Sequence, residues 1–248
     1  MTIGLIFIFG LLIALCNKAF YRNFGGFGHT VCVATGFIGT PLHELAHALF
    51  CVVFGHKIVE IKLFQISSSD GTLGYVNHSY NPRNIYHRIG NFFIGVAPII
   101  VISVVLYFLC RWITPTMALD VAEASSQIAF TGNIGEVLKS LFMPLIAMFK
   151  HALTGEFWLF MLVGILFSLH MTLSPADVKG ALSGLISLVL LLLIVDGILV
   201  LVSQSLFLGF TEAITSFGSF MLGIYVLSLA MSVFAVLVSF IIRKIFRR

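Results

Sequence analysis

Hydrophobic positions run in long unbroken stretches along this chain, at roughly 3–21, 29–54, 89–110, 157–174, 182–203 and 220–242. A helix needs about 20 apolar residues to cross a bilayer, so each stretch predicts a spanning or near-spanning helix. The second would be about 39 Å long at 1.5 Å per residue and must tilt, kink or project. Between 111 and 156 the pattern is mixed. Thr114-Pro115 and Met143-Pro144 interrupt it, and Val137–Leu153 is amphipathic, which suits an interfacial or re-entrant piece. Between the second and third runs, 58–64 partly alternate, Ser67-Ser68-Ser69-Asp70-Gly71 offers a turn, and Thr72–Val76 reads as a second short strand. The expected fold is an all-α polytopic membrane protein of about six transmembrane helices with a short β-hairpin. Its parts are a first segment and loop (1–28), a core (29–190) and a C-terminal pair of spans with a basic tail (191–248).

Composition supports this class. Hydrophobic residues make up 59% of the 248, charged ones 10%, and mean hydropathy is +1.09. Too little polar surface exists to cover a water-soluble globule, which excludes a soluble enzyme, a disordered regulator and a nucleic-acid-binding domain. The lipid bilayer is the expected surrounding, in a cell membrane, and no nucleic acid is expected as a partner. The net charge of +4 comes from basic residues lying mostly between and after apolar runs, where they bear on orientation. Six spans with cytoplasmic termini place nine Lys and Arg on the inner side and five on the outer, with Lys18 and Arg22 opposing that orientation. Cys16, Cys32, Cys51 and Cys110 lack metal-site spacing and read as reduced packing residues. No basic residue precedes the first apolar run, so a retained first span is expected rather than a cleaved leader.

Inside the second run stands Gly39-Thr40-Pro41-Leu42-His43-Glu44-Leu45-Ala46-His47-Ala48. Residues four apart share a helix face, so His43 and His47 can bind one zinc ion with Glu44 beside it as a proton acceptor. Thr40 and Pro41 resemble an N-cap and first-turn pair that would start or kink the helix. With eight His and six Glu in the chain, chance gives H-E-x-x-H only about 0.006 times per chain of this composition. Ionisable groups in an apolar span also need partners, which a merely structural role would have to supply.

Zinc needs a third protein ligand. The extended H-E-x-x-H-x-x-G-x-x-H form fails because Phe50 replaces its Gly, and no Glu is followed by a His four residues later. An acidic residue at equal membrane depth is then required. Asp177, in Ser174-Pro175-Ala176-Asp177-Val178-Lys179-Gly180 at the end of the fourth run, is the first candidate. Asp196 is the second, and His170 could face the same cavity.

In these features the chain resembles the site-2 protease type of intramembrane zinc metalloprotease. That family's core has one span with H-E-x-x-H, a following span, and a third with an aspartate near a proline. His43, Glu44 and His47 match the first motif in full. Asp177 with Pro175 matches the aspartate motif in part, since Val178 replaces a Gly and the Asn is missing. Gly95-Val96-Ala97-Pro98 is similar to a small-residue and proline turn of the middle span. The resemblance implies a Zn2+ cofactor and Glu44-assisted hydrolysis of peptide bonds in membrane-embedded substrates, either single-span or signal-peptide-like proteins. The orientation expected from the basic residues places the active site toward the cytoplasmic side.

The hairpin would put an edge strand near the metal, where Leu73, Gly74 and Tyr75 are expected to bind an extended substrate. Asn91, with Asn77, Asn81 and Asn84, is a candidate to line the polar path or clamp substrate. His56, His78 and His87 are expected at the surface, and Gly209, Gly218 and Gly223 as close-packing points. With no segment resembling a substrate-filtering domain, selection would fall to the membrane part, to a regulatory membrane partner or to an oligomer. The rival functions are a catalytically silent substrate-binding homologue and a membrane zinc transporter or sensor.

Overall fold

The computed structural model describes residues 2–66, 71–128 and 133–246, so the expected turn at Ser67–Asp70 and the last two arginines of the tail lie outside the described residues. The six apolar runs appear as α1 (Thr2–Asn23), α2 (Gly28–Val53), α3 (Ile85–Ile113), α6 (Gly155–Ser168), α7 (Pro175–Val202) and α8 (Gln204–Phe246). The mixed segment gives α4 (Pro115–Ser126) and α5 (Ile134–Phe149), and a two-stranded antiparallel sheet, β1 (Lys57–Lys62) with β2 (Tyr75–Ser79), follows α2. The architecture is therefore all-α and polytopic with a short hairpin. Five helices are long and apolar enough to cross a membrane, and α6 is a shorter apolar one.

The metal-bearing helix α2 is turned inside out relative to a soluble one. On α2, Gly36, Thr40, Glu44, His47 and Cys51 recur every three or four residues and are buried, while Phe37, Leu45, Leu49 and Val52 are exposed. Apolar side chains thus face lipid, and the small and polar stripe faces the protein, where polar groups find partners. Pro41 neither starts nor ends α2, which runs on through it. Glycines at positive φ stop α1 at Gly25 (58°) and α2 at Gly55 (69°), a conformation other residues rarely adopt.

α3 is the axis, packed against α2, α4, α6, α7 and α8. It meets α7 through glycines. A Cβ at Gly95 would strike the Asp177 carbonyl and lie 2.7 Å from the Ala181 nitrogen, and one at Gly184 would strike the α3 backbone. α4 and α5 are about 18 and 24 Å long, too short to cross. They fold back along α8, where Ser125 abuts Gly223 and Ser219 donates to the Ile128 carbonyl at 3.2 Å, a re-entrant hairpin. Gly223 is thus a close-packing point, whereas Gly209 has nothing within 4 Å.

In the bundle the two ends of the described chain lie apart. Phe9 packs on Tyr225, and Asn23 donates to Ser239 Oγ at 2.9 Å, so α1 and α8 run parallel and their outer ends lie at opposite ends of the bundle. The reason is that α6, at 14 residues about 21 Å long, is too short to cross before the chain turns into α7, which leaves five candidate spans among the described residues instead of six. The turn 169–174 between them is at mid-depth, with Asp177 against Gly95, ten residues into α3, and His170 against Gly36 and Gly39 of α2. Lys18 and Arg22 now share an end with Arg243 and Lys244, while Lys57, Lys62, Arg83 and Arg88 share the hairpin end.

Reporters fused before α1 and after α8 are expected to register opposite sides of the membrane; equal signals would contradict the parallel packing. Gly95→Ala should destabilise the protein by about 1–3 kcal/mol through overpacking against α7. Gly197→Ala, on the same helix with nothing within 4 Å, should leave stability unchanged or slightly raised. Thermal unfolding in detergent compares the two.

Candidate metal centre

His43 and His47 point from the buried stripe of α2 toward the first turn of α7, where Asp177 meets them. His47 Nε2 is 3.2 Å from His43 Nε2 and 3.2 Å from Asp177 Oδ1, and His43 Nε2 is 3.9 Å from Asp177 Oδ2. Ligand atoms about 2.0–2.2 Å from a tetrahedral zinc lie roughly 3.3–3.5 Å apart, so the triangle has the right size. Among the described residues this is the one cluster of three such side chains whose ligand atoms all lie within 4.8 Å of one another.

The imidazoles are oriented by main-chain carbonyls. His43 Nδ1–H donates to the His170 carbonyl at 2.9 Å, and His47 Nδ1–H donates to the Ile94 carbonyl at 2.8 Å. Both rings therefore direct an Nε2 lone pair at the common centre, the outer-shell arrangement typical of metal-bound histidine. Each acceptor is available because a helix is interrupted. Ile94 lies four residues before Pro98, which has no N–H, so the Ile94 carbonyl lacks its helical donor. His170 lies just past the end of α6, among the carbonyls a helix leaves unpaired.

The turn carrying His170 is itself held in place. Asn17 of α1, 3% exposed, donates to the Ser168 and Leu169 carbonyls, both at 3.0 Å. The His170 ring rests on a glycine shelf, since a Cβ at Gly39 would lie 2.5 Å from it, and its Nε2 is 3.2 Å from Thr35 Oγ1. His170 is thus a support for His43 through its main chain, not a third imidazole ligand. Asp196, the other alternative, is absent from the cluster.

Asp177 begins α7 instead of ending the preceding run. Its Oδ2 accepts from the Ser174 N–H at 2.7 Å while the Asp177 N–H donates to Ser174 Oγ at 3.1 Å, a capping box with Pro175 in the first turn. A cap and a metal ligand would thus be one residue, with Oδ1 left toward the histidines.

A cavity of about 550 Å³ opens from this triangle, walled by Glu44, Gly74, Tyr75, Asn77, His78 and Asn91 among others. Five consecutive hairpin residues, 74–78, line it. Alternating residues of a strand face opposite sides, so an unbroken row means that β2 presents its edge, the one not paired with β1. Gly74 lets the chain pass close to the base, because a Cβ there would lie 2.8 Å from Glu44 Cγ.

Of the expected substrate residues, Gly74, Tyr75 and Asn91 line the cavity. Leu73 does not; its side chain packs toward Gly36 of α2. Asn77 is also at the wall, whereas Asn84 caps α3 by accepting from the Tyr86 N–H, and Asn81 accepts from the Arg83 N–H. His78, expected at the surface, is a wall residue, and His56 behind it is buried. His56 Nε2–H donates to the His87 carbonyl at 2.9 Å, which leaves its Nδ1 to accept from His78 Nδ1–H at 3.0 Å. Burial pushes both of these rings below the ordinary histidine range, the His78 ring further through its His56 neighbour. Only the register of β2 could have revealed His78, and the sequence pattern placed that strand a few residues early.

Residues 36–138 match the model of a family described as "putative zincin peptidase". The match takes in His43, Glu44, His47, the hairpin and α3, about two fifths of the chain, and stops before Asp177. It supports a zinc metallopeptidase, and zinc is the cofactor it implies, in agreement with the donor set. No curated protein and no solved structure matches the chain.

Pro98→Ala restores an N–H that competes with His47 for the Ile94 carbonyl. Zinc affinity should fall about 10- to 100-fold, the usual effect of disturbing a ligand's support, while helix stability rises. Competition with a chromogenic chelator measures the first and thermal unfolding of the zinc-free protein the second.

Proposed function

We propose that this protein is an intramembrane zinc metallopeptidase of the site-2 protease type, cleaving single-span or signal-peptide-like substrates. The observation that carries this reading is the triangle of His43, His47 and Asp177, anchored by main-chain carbonyls and open toward Glu44 and a free strand edge. Zinc held there would polarise the scissile carbonyl and acidify a water molecule. Glu44 accepts the proton of the attacking water and delivers it to the leaving amine. A helical substrate hides its carbonyls in its own hydrogen bonds, so it must unwind, and the β2 edge offers replacement partners for the exposed main chain. The polar cavity wall on the hairpin side admits the water that hydrolysis consumes.

Purified wild type should hold about one zinc per chain, with the metal lost in His43→Ala and in Asp177→Ala. Glu44→Gln should keep its zinc yet release no fragments from a library of single-span peptides in micelles, read by mass spectrometry. Zinc retained in Asp177→Ala would refute the ligand set. A wild type that binds those peptides but cleaves none, with Glu44→Gln indistinguishable from it, would point to the silent-binder function.

A further inference from the structure

One side chain of the cavity wall has no task in the arrangement described so far. Asn91 is 5% exposed and lines the cavity, yet its carboxamide makes no hydrogen bond with any described residue. Buried amides nearly always have partners, because an unmatched donor and acceptor weaken the fold. A leucine, with the same branching of its four side-chain heavy atoms, would serve an apolar wall better. The neighbours of Asn91 on α3 locate it. Ile94, three residues on, supports His47, and Gly95, four residues on, abuts Asp177. Asn91 therefore stands about one helical turn, roughly 5.4 Å along the axis, from the supports of two ligands. It lies on the hairpin side, because α3 begins there.

A carboxamide carries N–H donors and a carbonyl acceptor, the same complement as a peptide group. An extended peptide added to the β2 edge has its own second edge, with unpaired N–H and C=O groups directed away from β2. We propose that Asn91 is a substrate-binding residue, its carboxamide pairing with the main chain of an extended polypeptide on the edge opposite β2. The ligand is main chain, so the contact tolerates any side-chain sequence and adds hold without choosing substrates. This assignment rests on the peptidase reading above.

Two probes separate main-chain binding from metal binding in zinc-loaded, detergent-purified protein, each titrated by calorimetry. Acetohydroxamate engages the metal alone, and trileucine hydroxamate adds peptide groups to the same chelating head. Asn91→Leu should weaken trileucine hydroxamate about 10-fold, as expected for losing one or two hydrogen bonds. It should leave acetohydroxamate affinity and zinc content unchanged. Unchanged trileucine affinity would overturn the assignment, as would an equal loss for both probes. Should the leucine variant fail to fold, Asn91→Ala is held to the same two affinities. A wild type that binds neither probe removes the peptidase reading itself, whereas one that binds trileucine hydroxamate as tightly as Asn91→Leu removes only the role of Asn91.

Discussion

The site depends on two imidazole N–H groups finding main-chain carbonyls inside a membrane protein. In a regular helix every interior carbonyl is already engaged, and the hydrocarbon core offers no water to supply others. Acceptors at that depth must come from irregular backbone. This chain supplies one through Pro98, which strips the Ile94 carbonyl of its helical donor, and another through the turn that ends α6 at His170. The breaks in α3 and between α6 and α7 are thus the means by which a metal-binding geometry is oriented in an apolar bundle.

From that requirement the packing follows. A carbonyl on α3 and another beyond α6 must both reach side chains of α2, so α3 and the turn 169–174 have to approach closely. Small residues permit it. Gly36 and Gly39 accept the His170 ring, Gly95 accepts the backbone of α7, and Gly74 brings the hairpin against Glu44. None of these glycines adopts a positive φ; each is needed for absence of bulk. Asn17 closes the arrangement by fastening the end of α6 to α1, which gives the first helix a part in the site although none of its side chains lines the cavity.

Much of this was legible in the sequence. The i, i+4 spacing of His43 and His47 survives any tilt of the helix, so the motif could be read without tertiary knowledge, and the hairpin followed from alternation and turn residues. Asp177 was reachable because charge at membrane depth demands a partner. Its setting was not, since hydropathy treats 157–174 as one run while the helix stops at Ser168. The count of spans came to six for the same reason: α6, about 21 Å long, reads as a full crossing when its apolar run is joined to the turn that follows. His170 carried an ambiguity that sequence cannot resolve, because its contribution comes through a carbonyl every residue possesses. The direction of Leu73, toward Gly36 of α2, was not legible because a strand's facing depends on register, and a short strand with one polar neighbour leaves register open.

The capping box at Ser174 ties these strands of argument together. Asp177 closes the capping box of α7, where a side-chain carboxylate meets the unpaired N–H groups of a helix start. Ser174 N–H takes Oδ2 and leaves Oδ1 facing His47. The aspartate is therefore oriented and presented by local backbone alone, before the histidines contribute. Starting α7 inside the bundle explains how its carboxylate reaches the histidines of α2 among apolar helices, and why the chain breaks between α6 and α7 instead of running one long helix there.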